Sequence, residues 1–327
     1  MGFITSNERY YRHELDALEQ TAVSPGSVLH ARRLLKVLDD LADEGYVTLN
    51  EHMETDFSCL TRLRSYLARA GARPFEVGHP SLPRARYGIH GEEVTAVAGR
   101  LLADAREVDA VAGNAFLGEL LGFCRWVGYE EGTAYVFLLR DALLPYLYYR
   151  SRGRQRLHPW LVSRRFMDDL AGVGDVDDEI RLPIYDALEQ GHTDFEPFDE
   201  YCGERIRRVL DRHAPLRDAL TGLLSGIGEE RIVVVESGYC GTVPMMLGAL
   251  DARVEMRMFT TAPFLVATYG PRVYTDRYED LRHFETLRSQ DTYLRYAAFR
   301  DGRFLVRQAD DATVRRQALA EIRAFMP

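Results

Sequence analysis

The stretch that most constrains this chain runs from Arg231 to Thr242: Arg-Ile-Val-Val-Val-Glu-Ser-Gly-Tyr-Cys-Gly-Thr. Ile232 to Val235 are all β-branched, so the run reads as a buried strand. Gly238 and Gly241 then permit a tight loop whose backbone can approach a ligand closely. Thr242 can start the next element, and Met245, Met246, Leu247 and Leu250 suit the buried side of a helix. A strand, a small-residue loop and a helix start together make an anion site. Free N–H groups and the positive end of the helix dipole point into the loop. The same residues would also serve as an ordinary strand-to-helix turn in an α/β core. Glu236 stands at the strand's carboxyl end, where a doubly wound sheet holds its ligands.

A chain of 327 residues is long enough for one large domain or two ordinary ones. Its hydrophobic share of 46% and charged share of 28% are those of a soluble globular protein. The net charge of −9 does not favour nucleic acid or an anionic membrane as partner. Lys36 is the only lysine, and the other 40 basic residues are arginine. A Walker loop or a Schiff base would therefore have to use Lys36. Cys59, Cys124, Cys202 and Cys240 are far apart, without a Cys-x-x-Cys pair. That spacing argues against a zinc ribbon or a disulfide framework and fits a reducing, cytoplasmic location. No apolar run is long enough to span a membrane.

Residues 1 to 90 read as a helical region, a cap or a dimerisation surface, with helices over Glu8 to Leu18, Val28 to Leu41 and Asp56 to Ala70. Pro74, Gly78, Pro80, Pro83 and Gly88 mark residues 74 to 90 as a linker. Residues 91 to 327 read as an α/β domain with a helical C-terminal extension. Helices are expected over Gly91 to Arg106 and Val111 to Val127, then a strand over Tyr135 to Leu139. A loop, Arg140-Ala142, leads into a helix from Leu143, and a second strand covers Pro159 to Ser163. From Arg140 to Arg165 seven arginines face one acid, Asp141. They bracket two strand ends, where a phosphate or pyrophosphate would sit. Asp168 to Asp178 reads as a mobile acidic loop and Asp186 to Asp199 as a polar one. Glu200 to Leu224 reads as a helix, Val254 to Thr260 and Phe264 to Tyr269 as strands, and Ala312 to Phe325 as a helix.

Strands alternating with helices from about residue 133 to 270 predict a mostly parallel, Rossmann-like sheet covered by helices on both faces. Right-handed crossovers put the loops Arg140-Ala142 and Glu236-Thr242 on one carboxyl edge. This pattern resembles the type I phosphoribosyltransferases. In that family one strand-end loop binds pyrophosphate. A later strand ends in acids and a small-residue loop that hold the ribose and its 5-phosphate. The resemblance implies that Glu236 holds a ribose hydroxyl and that Ser237, Gly238, Tyr239, Cys240, Gly241 and Thr242 cradle the phosphate. Arg140 and Asp141 would sit at the pyrophosphate, with Mg2+ and arginines stabilising its departure. Ser237 takes the place of the family's second acid. The implied function is transfer of a phosphoribosyl group to a nucleobase-like acceptor, in a style that suits nucleoside natural-product biosynthesis. Its partners would be a phosphorylated sugar and a nucleobase, and its assembly a homodimer. Tyr146, Tyr148, Tyr149 and Trp160 could stack on a base or pack the core.

A second resemblance covers more of the chain. Bacterial proteins labelled as predicted haloacid-dehalogenase-type hydrolases carry Arg-Asp-Gly, Ser-Arg-Arg and Asp-x-Gly-x-x-Gly-Thr in that order. Here the set is Arg140-Asp141-Ala142, Ser163-Arg164-Arg165 and Glu236 to Thr242. This resemblance implies a phosphatase in which Asp141 is the nucleophile. Such phosphatases commonly have a second Asp two residues on, where this chain has Leu143, and a phosphate-binding lysine, for which an arginine would substitute. A third class is a nucleotide-sensing protein that binds without turnover.

Overall fold

The computed structural model describes residues 17–20, 31, 66, 91–110, 115–139, 141–172, 176–238, 240–277, 294–308 and 312–326. The chain divides into two compact units, Met1–Pro83 and Arg84–Pro327. In the first, residues 17–20, 31 and 66 are helical, and Leu18, Ala31 and Tyr66 are buried. The other residues of the three expected N-terminal helices, and the expected linker before Gly91, lie outside the described residues.

The second unit is mixed α/β. Its elements begin with β1 (Glu92–Glu93), α1 (Val94–Asp104), α2 (Ala115–Val127), β2 (Thr133–Leu138), α3 (Leu143–Ser151) and β3 (Leu157–Trp160). Then come α4 (Arg164–Ala171), α5 (Val176–Glu189), α6 (Phe195–Arg212), α7 (Ala214–Ser225), β4 (Arg231–Glu236), α8 (Thr242–Leu250) and β5 (Val254–Met258). The unit closes with α9 (Val266–Tyr269), β6 (Leu294–Arg300), β7 (Arg303–Gln308) and α10 (Ala312–Phe325).

A four-stranded parallel sheet in the order β3-β2-β4-β5 positions the site. Every residue of β2 is buried, as are Ile232 to Val235 of β4. Continuous apolar runs are what a parallel strand needs when both its faces are covered. Phe137 pairs with Val235 on one side and with Pro159 on the other, so the carboxyl ends of the three strands lie side by side. The chain leaves β2 for β3 on one flank and later returns to β4 on the other. Successive connections thus diverge between β2 and β4, which opens a crevice at that carboxyl edge. A separate antiparallel sheet, β1-β7-β6, joins the start of the unit to its end.

Several expectations are corrected. Asp168 to Asp178 is not one loop: Asp168 to Ala171 close α4, and Val176 opens α5. Asp186 to Glu189 belong to α5, and α6 begins at Phe195. Apart from the buried Asp177 and Arg181, the charged residues here lie on the more exposed faces of amphipathic helices, which a reading for polarity takes as loop. Helix α5 contains Pro183 in its interior, and Cys202 Sγ–H donates to the Pro183 carbonyl at 3.4 Å. Phe264 to Tyr269 is a 3-10 turn followed by α9, bounded by Pro263 and Gly270. Periodicity cannot assign so short an apolar run. The expected helix from Glu200 to Leu224 is two helices that part at His213, where Pro215 favours a new first turn.

Candidate functional site

Three strand ends converge. Asp141 follows β2, Ser163 and Arg164 follow β3, and Glu236 and Ser237 end β4. Ser237 Oγ–H donates to Asp141 Oδ2 at 2.9 Å, across the crevice. Ser237 is 4% exposed, so this bond is held by packing as well as by polarity. Asp141 and Glu236 were expected to share one edge, and the structure brings them together. Burial first, then the charges of Asp141 and Asp177, push the Glu236 carboxyl well above the usual carboxylate range. Its Oε2 is shut off from solvent and has no hydrogen-bond partner among the described residues. A buried acceptor left open in this way calls for a proton, a cation or a ligand hydroxyl.

The loop after Glu236 is shaped by contacts from β5 and α9. Phe259 N–H donates to Glu236 O and Thr260 N–H to Ser237 O, so two residues of the next strand's exit clamp the loop. Gly238 has φ 124°, and a Cβ there would lie 1.8 Å from the Thr260 carbonyl oxygen. Only glycine fits this approach. Gly241 is left-handed at φ 66° and caps α8. Tyr269 O–H, fully buried, donates to the Cys240 carbonyl at 2.7 Å. The Cys240 thiol faces Tyr185 Oη at 3.3 Å, and burial pushes it up to about 12. Cys240 and Thr242 are both buried. The cradle expected of Ser237, Gly238, Cys240, Gly241 and Thr242 is therefore one of backbone, except that the Ser237 hydroxyl is turned to Asp141. Tyr239 and Arg140 lie outside the described residues.

Ser163 caps α4, its Oγ accepting from Phe166 N–H at 3.3 Å. Arg164 Nε lies 3.0 Å from Asp177 Oδ2, and Arg165 is exposed. The same Asp177 oxygen pairs with Arg181, one turn on in α5 and buried. Asp177, Arg181 and Tyr185 were missed as site residues. Their spacing of four puts all three on one helix face, a signal available in the sequence once the segment is read as helix.

Arg152, Arg154 and Arg156 of the basic segment pair away from this edge. Arg152 lies over the Tyr148 ring and Arg154 over Tyr129, at 4.5 and 4.6 Å. Arg156 pairs with Glu229 at 2.9 Å. A crossover between parallel strands must return to the amino edge before the next strand starts, and it carries these residues there. Tyr146, Tyr148, Tyr149 and Trp160 are buried core residues rather than a base platform.

Among the described residues no group of three or more His, Cys, Asp or Glu side chains is placed to hold a metal ion. Magnesium commonly asks less of a protein: one or two carboxylates, with water and substrate phosphate completing its shell. The open Glu236 Oε2 beside Asp141 fits that demand. No family model, curated protein or solved structure matches the chain. Among the described residues no helix is long and apolar enough to cross a membrane.

Proposed function

We propose that the protein is a phosphoryl-transfer enzyme, a hydrolase of a phosphorylated small molecule in which Asp141 is the nucleophile. The carrying observation is the 2.9 Å bond from Ser237 to Asp141, which sets that carboxylate in the crevice between the two central strands. The second resemblance supports the same reading: Asp141, Ser163-Arg164-Arg165 and Glu236-Ser237 follow or end neighbouring strands at one edge of the parallel sheet.

The chemistry follows from the residues. An Asp141 oxygen attacks phosphorus and forms the Asp–O–P bond. The ester P–O bond breaks, and the departing oxygen takes a proton from water. A second water then attacks phosphorus, the Asp–O–P bond breaks, and phosphate leaves as Asp141 regains its charge. Ser237 O–H holds the other Asp141 oxygen and so fixes the angle of attack. The backbone of Gly238, Cys240, Gly241 and Thr242, at the start of α8, would offer N–H groups to the phosphate oxygens. Asp141 and Glu236 would hold Mg2+, which supplies positive charge against those oxygens.

The test is a panel of phosphomonoesters with Mg2+, read as phosphate release. Turnover that Asp141→Asn lowers by at least about a thousandfold supports the reading. Turnover that survives in Asp141→Asn sinks it. Phosphoribosyl transfer is the second reading, favoured by the backbone cradle leading from Glu236 to α8. Release of pyrophosphate from phosphoribosyl pyrophosphate, dependent on a nucleobase, would select it. Binding of either ligand without turnover would select the sensor.

A further inference from the structure

One carboxylate at this site serves two guanidiniums. Asp177 Oδ2 takes Arg181 of its own helix and Arg164 of α4. The Arg181 side chain is 4% exposed and that of Asp177 9%, whereas that of Arg164 is 56% exposed. A buried ion pair gains little stability over apolar packing, so its presence asks for another reason. Its position supplies one. Tyr185, one turn on from Arg181 on the same face of α5, has its Oη 3.3 Å from the Cys240 thiol in the loop after β4, and Arg164 opens α4 just after the carboxyl end of β3. The trio therefore borders both the backbone cradle and the carboxylate edge, with Arg164 on its solvent side.

We propose that Arg181 and Arg164 form the cationic seat for the substrate's phosphate, and that Asp177 holds both in place until the phosphate competes for them. This inference rests on the phosphoryl-transfer reading for its substrate class, but its geometry is independent of the nucleophile. A phosphate dianion offers oxygens on several sides and can accept from two guanidinium forks at once. The Asp177 carboxylate accepts from both guanidiniums in the same way. It keeps Arg181 oriented while buried and ties the exposed Arg164 to the edge of the site. Because Asp177 competes with the ligand, removing its charge should strengthen anion binding rather than weaken it. A purely structural ion pair predicts the opposite sign.

The experiment is calorimetric titration of the full chain with inorganic phosphate, with circular dichroism checking each variant's fold. Arg164→Ala should weaken binding roughly tenfold, the scale of one charge-assisted hydrogen bond. Asp177→Asn should tighten it several-fold. Asp141→Asn should bind at least as well as the parent chain. Unchanged or weaker binding in Asp177→Asn overturns the proposal, and so does unchanged binding in Arg164→Ala, whose exposed position makes misfolding a poor excuse. Arg181→Lys, which keeps the charge but loses the fork, should weaken binding without unfolding the chain. Phosphate binding that follows this pattern while no ester is turned over keeps the seat and discards the nucleophile. Turnover at Asp141 without the pattern does the reverse.

Discussion

At the scale of single residues, the protonation of Glu236 bears directly on stability. Its carboxyl is buried beside two other acids, so the neutral form is favoured. Glu236→Gln replaces an acid that must be kept neutral with an amide that already is. The variant should melt at a higher temperature than the parent at neutral pH. Each gain of about 1 kcal/mol should appear as roughly 2–4 °C in a unit of this size. Added Mg2+ should raise the melting point of the parent and leave that of Glu236→Gln in place, since only the carboxylate can hold the ion. A variant that melts lower than the parent would contradict the account. Ser237→Ala should keep substrate affinity and slow turnover, because the hydroxyl acts on the angle of Asp141 and not on the phosphate. Separate measurement of kcat and KM reads this. Glu236, Ser237 and Asp141 were legible as candidates because strand ends of parallel sheets are where ligands gather. The 2.9 Å bond between two of them was not, since 96 positions separate Asp141 from Ser237 and only the sheet order joins them. Cys240 shows the reverse case: it was legible as part of the cradle, yet its thiol faces Tyr185 and burial holds it in the protonated form.

At the scale of elements, the loop between β4 and α8 depends on Gly238. Gly238→Ala must place a methyl against the Thr260 carbonyl at a positive φ. The loss of stability should be about 3 kcal/mol or more, seen as a lower denaturant midpoint. A near-neutral result would mean that the loop is not clamped as described. On the neighbouring strand β3, burial holds the His158 imidazole below its ordinary value, against the pull of Glu229. The folded chain then takes up this proton later than the unfolded one as pH falls. Its contribution is therefore intact above about pH 6.5 and is lost below it. His158→Gln should flatten that part of the stability profile, and an unchanged slope would contradict the assignment. Strand β4 was readable because its β-branched apolar run has few other uses, and β2 because a short, continuous apolar run follows the turn at Gly132. Helices α4 and α5 were not. Their acids and arginines satisfy one another across helix turns, as at Asp177 and Arg181, so the composition of a solvated loop conceals a packed element.

At the scale of the molecule, the order β3-β2-β4-β5 turns three distant sequence elements into one edge. It also divides the basic segment. Arg164 stays with the carboxyl edge, whereas Arg152, Arg154 and Arg156 go to tyrosines and Glu229 near the strand starts. A one-dimensional count of arginines cannot make that separation, because it depends on which way each connection runs. The central claim is that a phosphoryl group is transferred to Asp141. Its most direct measurement is the mass of the intact chain after acid quench during turnover of a phosphomonoester, with the modified residue located by fragmentation. The account predicts a gain of one phosphoryl group on Asp141 that is lost in hydroxylamine and never forms in Asp141→Asn. Rapid turnover with an unmodified Asp141, or a phosphoryl group on another residue, would contradict it.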